Sequence, residues 1–86
     1  MASYKLSFKS SVEKDLRKVD KPQIEKILAV IAELSLNPFP ANSRKLVGAE
    51  KTYRVRIGDY RAVYIVDPEE SLIEIQKIAH RKDVYR

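Results

Sequence analysis

Between residues 53 and 64 the chain alternates apolar and polar side chains, breaks at Gly58-Asp59, and then alternates again. Two period-two segments joined by a two-residue Gly-Asp link predict a β-hairpin. With Gly58 and Asp59 as the loop, Ile57 faces Tyr60, Arg56 faces Arg61, Arg54 faces Val63 and Tyr53 faces Tyr64. One face then carries Tyr53, Val55, Ile57, Tyr60, Ala62 and Tyr64, and the other gathers Arg54, Arg56 and Arg61. Like charges directly opposite one another destabilise a strand pair. Arg56 against Arg61 therefore points to an anion shared between them, and phosphate is the obvious candidate.

The same patterning organises the rest of the chain. Residues 3–8 alternate, with Tyr4, Leu6 and Phe8 on one face, and predict a first strand. Ser10 and Glu13 match a capping box. Phe8, Val12, Leu16 and Val19 then recur at the three-to-four spacing of a short helix. Asp20 and Gln23 repeat the cap pattern, with Pro22 in the first turn. From there Ile24, Ile27, Leu28, Ile31 and Leu34 make the stripe of a second helix ending near Ser35. Two helices joined at Val19-Asp20 form a helical hairpin whose apolar stripes need a sheet to cover. Asn37-Pro38-Phe39-Pro40 ends the second helix. A short extended segment at Arg44-Lys45-Leu46 precedes the β-hairpin, and Asp67 to Ser71 form a turn.

Leu72 to Ala79 read as a last strand, but strict alternation puts Ile73 and Ile75 on the face opposite Ile78. A bulge near Gln76-Lys77 restores one apolar face. His80 to Arg86 read as a polar tail. The order β-α-α-β-β-β is α+β: a small antiparallel sheet with an N-terminal helical hairpin packed on one face.

Length and composition limit what this fold can do. Eighty-six residues suit one domain spanning 1–86, and there are no cysteines, so no disulfide and no zinc–thiolate site. No signal peptide and no apolar run of membrane-spanning length is visible, which fits a cytoplasmic protein without a membrane partner. The net charge is +5, and six of the seven arginines lie after residue 43. Arginine grips phosphate through a bidentate fork, whereas lysine acts as a solvated point charge. No acidic spacing resembles a magnesium or zinc site, there is no glycine-rich phosphate loop, and no cofactor is implied.

Arg54, Arg56 and Arg61 are the leading functional residues, although arginines also suit the solvated face of an ordinary antiparallel sheet. His80 is the only histidine. Pairing of the last strand beside residues 60–66 would bring His80 or Arg81 to the end of the sheet that holds Arg56 and Arg61. Histidine is the side chain best suited to proton transfer near neutral pH. Tyr85 could act through its hydroxyl or stack on a base, and its simplest role is to pack the tail. Arg44, Lys51 and Lys82 extend the basic surface. Arginines without a metal suit RNA cleavage, because RNA carries its own nucleophile, the 2′-hydroxyl. The protein then needs to align that group, stabilise charge on the phosphate and move protons.

At this point the sequence resembles a known family. Arg-Val-Arg-Ile-Gly-Asp-Tyr-Arg-Ala-Val-Tyr at 54–64, followed by Ile-Glu-Ile-Gln-Lys-Ile-Ala-His-Arg-Lys-Asp-Val-Tyr-Arg at 73–86, is similar to the RelE toxins of the RelE/ParE superfamily. The likeness takes in the first strand, the helical hairpin, Asn37-Pro38 and Arg44-Lys45-Leu46. It implies a toxin of a type II toxin–antitoxin system that cuts messenger RNA in the ribosomal A site without metal, leaving a 2′,3′-cyclic phosphate and a 5′-hydroxyl. It implies a cognate antitoxin, RelB-like or another small one, which neutralises the toxin and represses the operon with it, so operator DNA is met only through the antitoxin.

The family's basic pair falls on Arg54 and Arg56, its hairpin arginine on Arg61, its late arginine on Arg81 and its C-terminal tyrosine on Tyr85. The best-studied RelE type has lysines at the positions of Arg54 and Arg56. Arginine is not deprotonated in proteins, so the general base falls to Tyr85 or His80. Two alternatives stand beside this reading: a ParE-like gyrase poison, and a catalytically weak homologue that acts as an antitoxin-binding co-repressor.

Overall fold

The computed structural model describes residues 3–84. Its elements run β1 (Lys5–Phe8), α1 (Ser11–Arg17), α2 (Lys21–Leu34), β2 (Ser43–Lys45), β3 (Thr52–Ile57), β4 (Tyr60–Asp67), β5 (Leu72–His80) and α3 (Arg81–Val84). The five strands form one sheet in the order β1-β5-β4-β3-β2. The architecture is α+β, with one correction to an all-antiparallel sheet: β1 runs parallel to β5, Leu6 beside Ile73 and Phe8 beside Ile75. No hairpin links these two strands, so no tight turn imposes the antiparallel sense.

Burial of one sheet face fixes the register. Val55, Ile57, Ala62, Tyr64, Val66, Ile73, Ile75 and Ile78 are buried with Val12 and Val19 and with Ile27, Ile31 and Leu34 of α2. Each large apolar side chain removed from water in this way contributes about 1.5–3 kcal/mol. A one-residue slip would turn the whole set toward solvent. The β3–β4 pairing follows the expected register at every position, including Ile57 with Tyr60 and Arg56 with Arg61. Gly58 has φ +60, a left-handed conformation that glycine adopts without strain at the first position of a two-residue hairpin turn.

The bulge in β5 also forms where the apolar pattern requires it. Val63 pairs with Lys77 but Tyr64 pairs with Ile75, so Gln76 is the extra residue. Ile73, Ile75 and Ile78 are thereby all buried. Beyond Ile75, β5 extends past the end of β1, and α1 takes over that edge: the Ile78 N–H donates to the Asp15 carboxylate, 3.0 Å away. A side-chain oxygen thus replaces the strand carbonyl that the ladder lacks.

Local details differ from the expected pattern. Neither capping box forms. Ser10 is already helical, at φ −56 and ψ −31, and makes no side-chain cap bond. Asp20 is extended, but its backbone carbonyl, not its carboxylate, accepts from the Gln23 and Ile24 N–H groups. Leu28 and Phe8 are exposed, because α2 turns Ile27, Ile31 and Leu34 inward and β1 lies at the sheet edge. The tail after His80 is not wholly irregular, since Arg81–Val84 form one helical turn. No helix among the described residues is long and apolar enough to cross a membrane.

The loop after α2 is pinned by an aromatic ladder. Phe39 packs on Tyr53 with ring centroids 4.9 Å apart, and Tyr53 stacks on Tyr64 at 6.0 Å. The buried Tyr64 hydroxyl donates to the Pro38 carbonyl at 2.7 Å. Burial raises the Tyr64 pKa above its ordinary 10.0, because the phenolate would be desolvated there. Stability from this group is therefore complete below about pH 10 and is lost as pH rises toward the higher value of the folded state. Tyr64→Phe should lower stability by about 1–3 kcal/mol, since it leaves a buried carbonyl without its donor. Urea unfolding should show a lower midpoint with an unchanged slope, and the variant should lack this component of the alkaline loss of stability.

Candidate active site

The sheet face away from the helices carries the basic residues, and the strand register sets them in two rows. Across β2, β3, β4 and β5 the first row reads Arg44, Arg54, Val63, Lys77. The second reads Arg56, Arg61, Ala79. The Arg56 N–H donates to the Asn42 carbonyl at 3.4 Å, which places Asn42 at the outer end of this second row. Asn42, Arg44, Arg54, Arg56 and Arg61 line one cavity of about 340 Å³.

The cavity walls are set by local structure. Arg56 is exposed, and its Nε donates to the Gly58 carbonyl at 3.2 Å, which folds its guanidinium toward the hairpin turn. Arg54 and Arg61 are half-buried. Four guanidiniums around so small a volume repel one another, and the repulsion is relieved by an anion that accepts from several at once. A phosphodiester offers two charged oxygens, and forked donors match them.

The remaining expected residues fall at varied distances from this cavity. Arg81 opens α3, and its N–H donates to the Asp59 carbonyl at 2.7 Å, which fastens the end of β5 to the hairpin turn beside Arg56 and Arg61. Lys82 is exposed one residue further on. Lys51 sits at the opposite end of β3 from the turn, with φ 58. It is separated from Arg56 by most of the strand, so it does not join the cluster. Tyr85 lies outside the described residues.

His80 reaches the expected end of the sheet, on the face opposite the arginines. It pairs directly with Tyr60, and paired residues share a face, so His80 points to the helix side. Its ring packs edge-on against Tyr60 at 5.3 Å, and its Nδ1 accepts from the Lys82 N–H at 3.3 Å. It lines a second, larger cavity of about 480 Å³ with Asp15, Lys18, Tyr60 and Lys77. That cavity is larger, but the arginines converge on the smaller one, and charge rather than volume marks the candidate site. Among the described residues, no group of three or more acidic or histidine side chains could hold a metal ion.

Asn42 was not expected at the site, and Lys77, which stands in the first row on the same face, does not line the arginine cavity. Lys77 joins the face only because the bulge at Gln76 resets the alternation of β5. Asn42 lies before β2, in a loop whose course the sequence pattern does not specify.

Residues 6–85 match a family model described as the ParE toxin of the type II toxin–antitoxin system parDE. Toxin RelG of Mycobacterium tuberculosis is 32% identical over 91 aligned positions, covering 96% of this chain and 97% of RelG. Toxin RelE3 of Methanocaldococcus jannaschii is 31% identical over 85 positions, covering 94% of each chain. Among solved structures, the toxin in an archaeal RelE–RelB complex from Pyrococcus horikoshii is 30% identical, with a TM-score of 0.82 over 92% of this chain and 96% of that one.

Inorganic phosphate added at constant ionic strength should raise the melting temperature of the wild-type chain by about 4–8 °C per kcal/mol of binding free energy. Arg56→Ala/Arg61→Ala should melt at the same temperature with and without phosphate. An equal rise in this double variant would show that the anion does not sit between the two arginines.

Proposed function

This chain belongs to the RelE/ParE family of toxins of type II toxin–antitoxin systems, and from that premise we propose that it is a ribosome-dependent, metal-independent endoribonuclease. It cuts messenger RNA in the ribosomal A site, in the cytoplasm. The observation that carries the reading is the convergence of Arg44, Arg54, Arg56 and Arg61 on one cavity of the open sheet face.

The reaction follows from what such a cavity supplies. Arg61 and Arg81 bind the scissile phosphate and stabilise the charge that builds on its non-bridging oxygens. Arg54 and Arg56 hold the backbone and neutralise it, and Arg44, Lys51 and Lys82 extend the path of the strand. The ribose 2′-hydroxyl attacks the adjacent phosphorus, the 5′-oxygen leaves, and the products are a 2′,3′-cyclic phosphate and a 5′-hydroxyl. The general base in this reading is Tyr85. His80 is the weaker candidate, because its ring faces the helices and Tyr60.

The partner is a cognate antitoxin, as RelB is for the archaeal toxin in its complex. Given the net charge of +5, its toxin-binding segment should be acidic. Phe8, Leu28 and Leu36, exposed on or beside the helical layer, offer it apolar contacts. Operator DNA is met through the antitoxin.

The family model's description favours one second reading, a gyrase poison of the ParE kind. Mapping nucleic-acid ends after induction separates the two. Cut messages with 5′-hydroxyl ends, seen only during translation, support the nuclease, and gyrase-linked DNA breaks support the poison. Arg61→Ala and Arg81→Ala should each abolish growth arrest while circular dichroism remains that of the wild type. In a purified translation system each should slow cleavage by about 10²–10³-fold. Full toxicity in the double variant would sink the assignment.

A further inference from the structure

The cavity that gathers the arginines has one lining residue of a different kind. Arg44, Arg54, Arg56 and Arg61 are donors only, and the fifth lining residue, Asn42, carries an amide with both a donor end and an acceptor end. One hydrogen of its donor end is committed: Nδ2 donates to the Arg56 carbonyl at 2.8 Å. The Arg56 N–H in turn reaches the Asn42 carbonyl at 3.4 Å. This reciprocal pair extends the β2–β3 ladder one step past Ser43 and Val55, and it holds Asn42 beside Arg56 in the row that continues to Arg61. With Nδ2 facing a carbonyl, Oδ1 is the side-chain acceptor among the cavity-lining residues.

A phosphodiester presents only acceptors, so it satisfies guanidiniums and offers nothing to Oδ1. Guanidiniums bind the phosphates of RNA and DNA alike. The donor nearest to a phosphate in a nucleic acid is the ribose 2′-hydroxyl, one carbon away from the carbon that bears the 3′-oxygen. The donors on the bases lie further off. The 2′-hydroxyl is also the group by which a protein tells RNA from DNA at a given site.

We infer that Asn42 is a specificity-determining residue: its Oδ1 accepts a hydrogen bond from a ribose 2′-hydroxyl next to the phosphate held by Arg56 and Arg61. An amide oxygen is too weak a base to take the proton, so Asn42 selects and orients the hydroxyl and leaves deprotonation to another group. The inference rests on the proposed RNA-cleaving function and adds to it the residue that reads the sugar.

The test is binding of the full chain, at low salt, to three short single strands of one sequence: RNA, DNA and 2′-O-methyl RNA. The methylated strand keeps the sugar oxygen but has no hydrogen to donate. Fluorescence anisotropy should show wild-type protein binding RNA about fivefold more tightly than either of the others, the worth of one neutral hydrogen bond. Asn42→Ala should bind all three equally. Asn42→Asp keeps an acceptor but loses the clamp on Arg56, so it should bind every strand more weakly yet retain the preference for RNA. That retained ratio is what a purely structural role would not give. A wild-type chain that binds RNA without preference, or an Asn42→Ala variant that keeps the fivefold ratio, overturns the inference and leaves the arginine cradle standing. Failure of the wild-type chain to bind any of the strands overturns the cradle as well.

Discussion

The pairing of Arg56 with Arg61 across the β3–β4 hairpin depends on what happens on the other side of the sheet. Val55, Ile57, Ala62 and Tyr64 are buried beneath the helical hairpin, and only one register lets all of them be buried together. The like-charge pair opposes that register by about 0.2–1 kcal/mol, whereas the apolar face contributes several times as much. Hydrophobic burial on one face therefore holds an electrostatically unfavourable arrangement on the other. An anion shared by the two guanidiniums would relieve that repulsion.

The outer parts of the sheet sustain this geometry. The bulge at Gln76 lets β5 bury Ile73, Ile75 and Ile78 while Ala79 still meets Arg61 and Lys77 still meets Val63. Where β1 ends, the Asp15 carboxylate takes the Ile78 N–H and keeps the end of β5 in place. From there the Arg81 N–H reaches the Asp59 carbonyl in the hairpin turn. On the opposite flank, Asn42 fastens β2 to Arg56 and so fixes the distance between Arg44 and the central arginines. The strand ladders and the Asn42 side chain thus fix the backbone that carries the cavity's arginines.

The two faces of the sheet differ in character. The open face carries the positive rows. The helix side holds the aromatic pair Tyr60 and His80 and the exposed Phe8, Leu28 and Leu36. A partner seated on the helical layer would not need to touch the cavity itself.

Much of this was legible in the chain's periodicity. The hairpin register, the turn at Gly58-Asp59, the helical pair and the bulge near Gln76 follow from apolar alternation and its interruptions, because burial of one face leaves a strand a single workable phase. The arginine cluster was legible for the same reason. What periodicity cannot encode is which side of a strand's end a residue takes and what a distant segment lays beside it. His80 turned toward Tyr60 because its strand partner is fixed by the bulge, and Lys51 stayed at the far end of β3 because the hairpin turn lies at the other. The parallel sense of β1, the edge cap by Asp15 and the place of Asn42 beside Arg56 join residues far apart in the chain. The sequence by itself determined the elements before the last helical turn, the covered face and the charge of the open one. Only the tertiary structure decided how the edges close and which neutral side chain stands among the arginines, since both depend on long-range contacts that no local pattern carries.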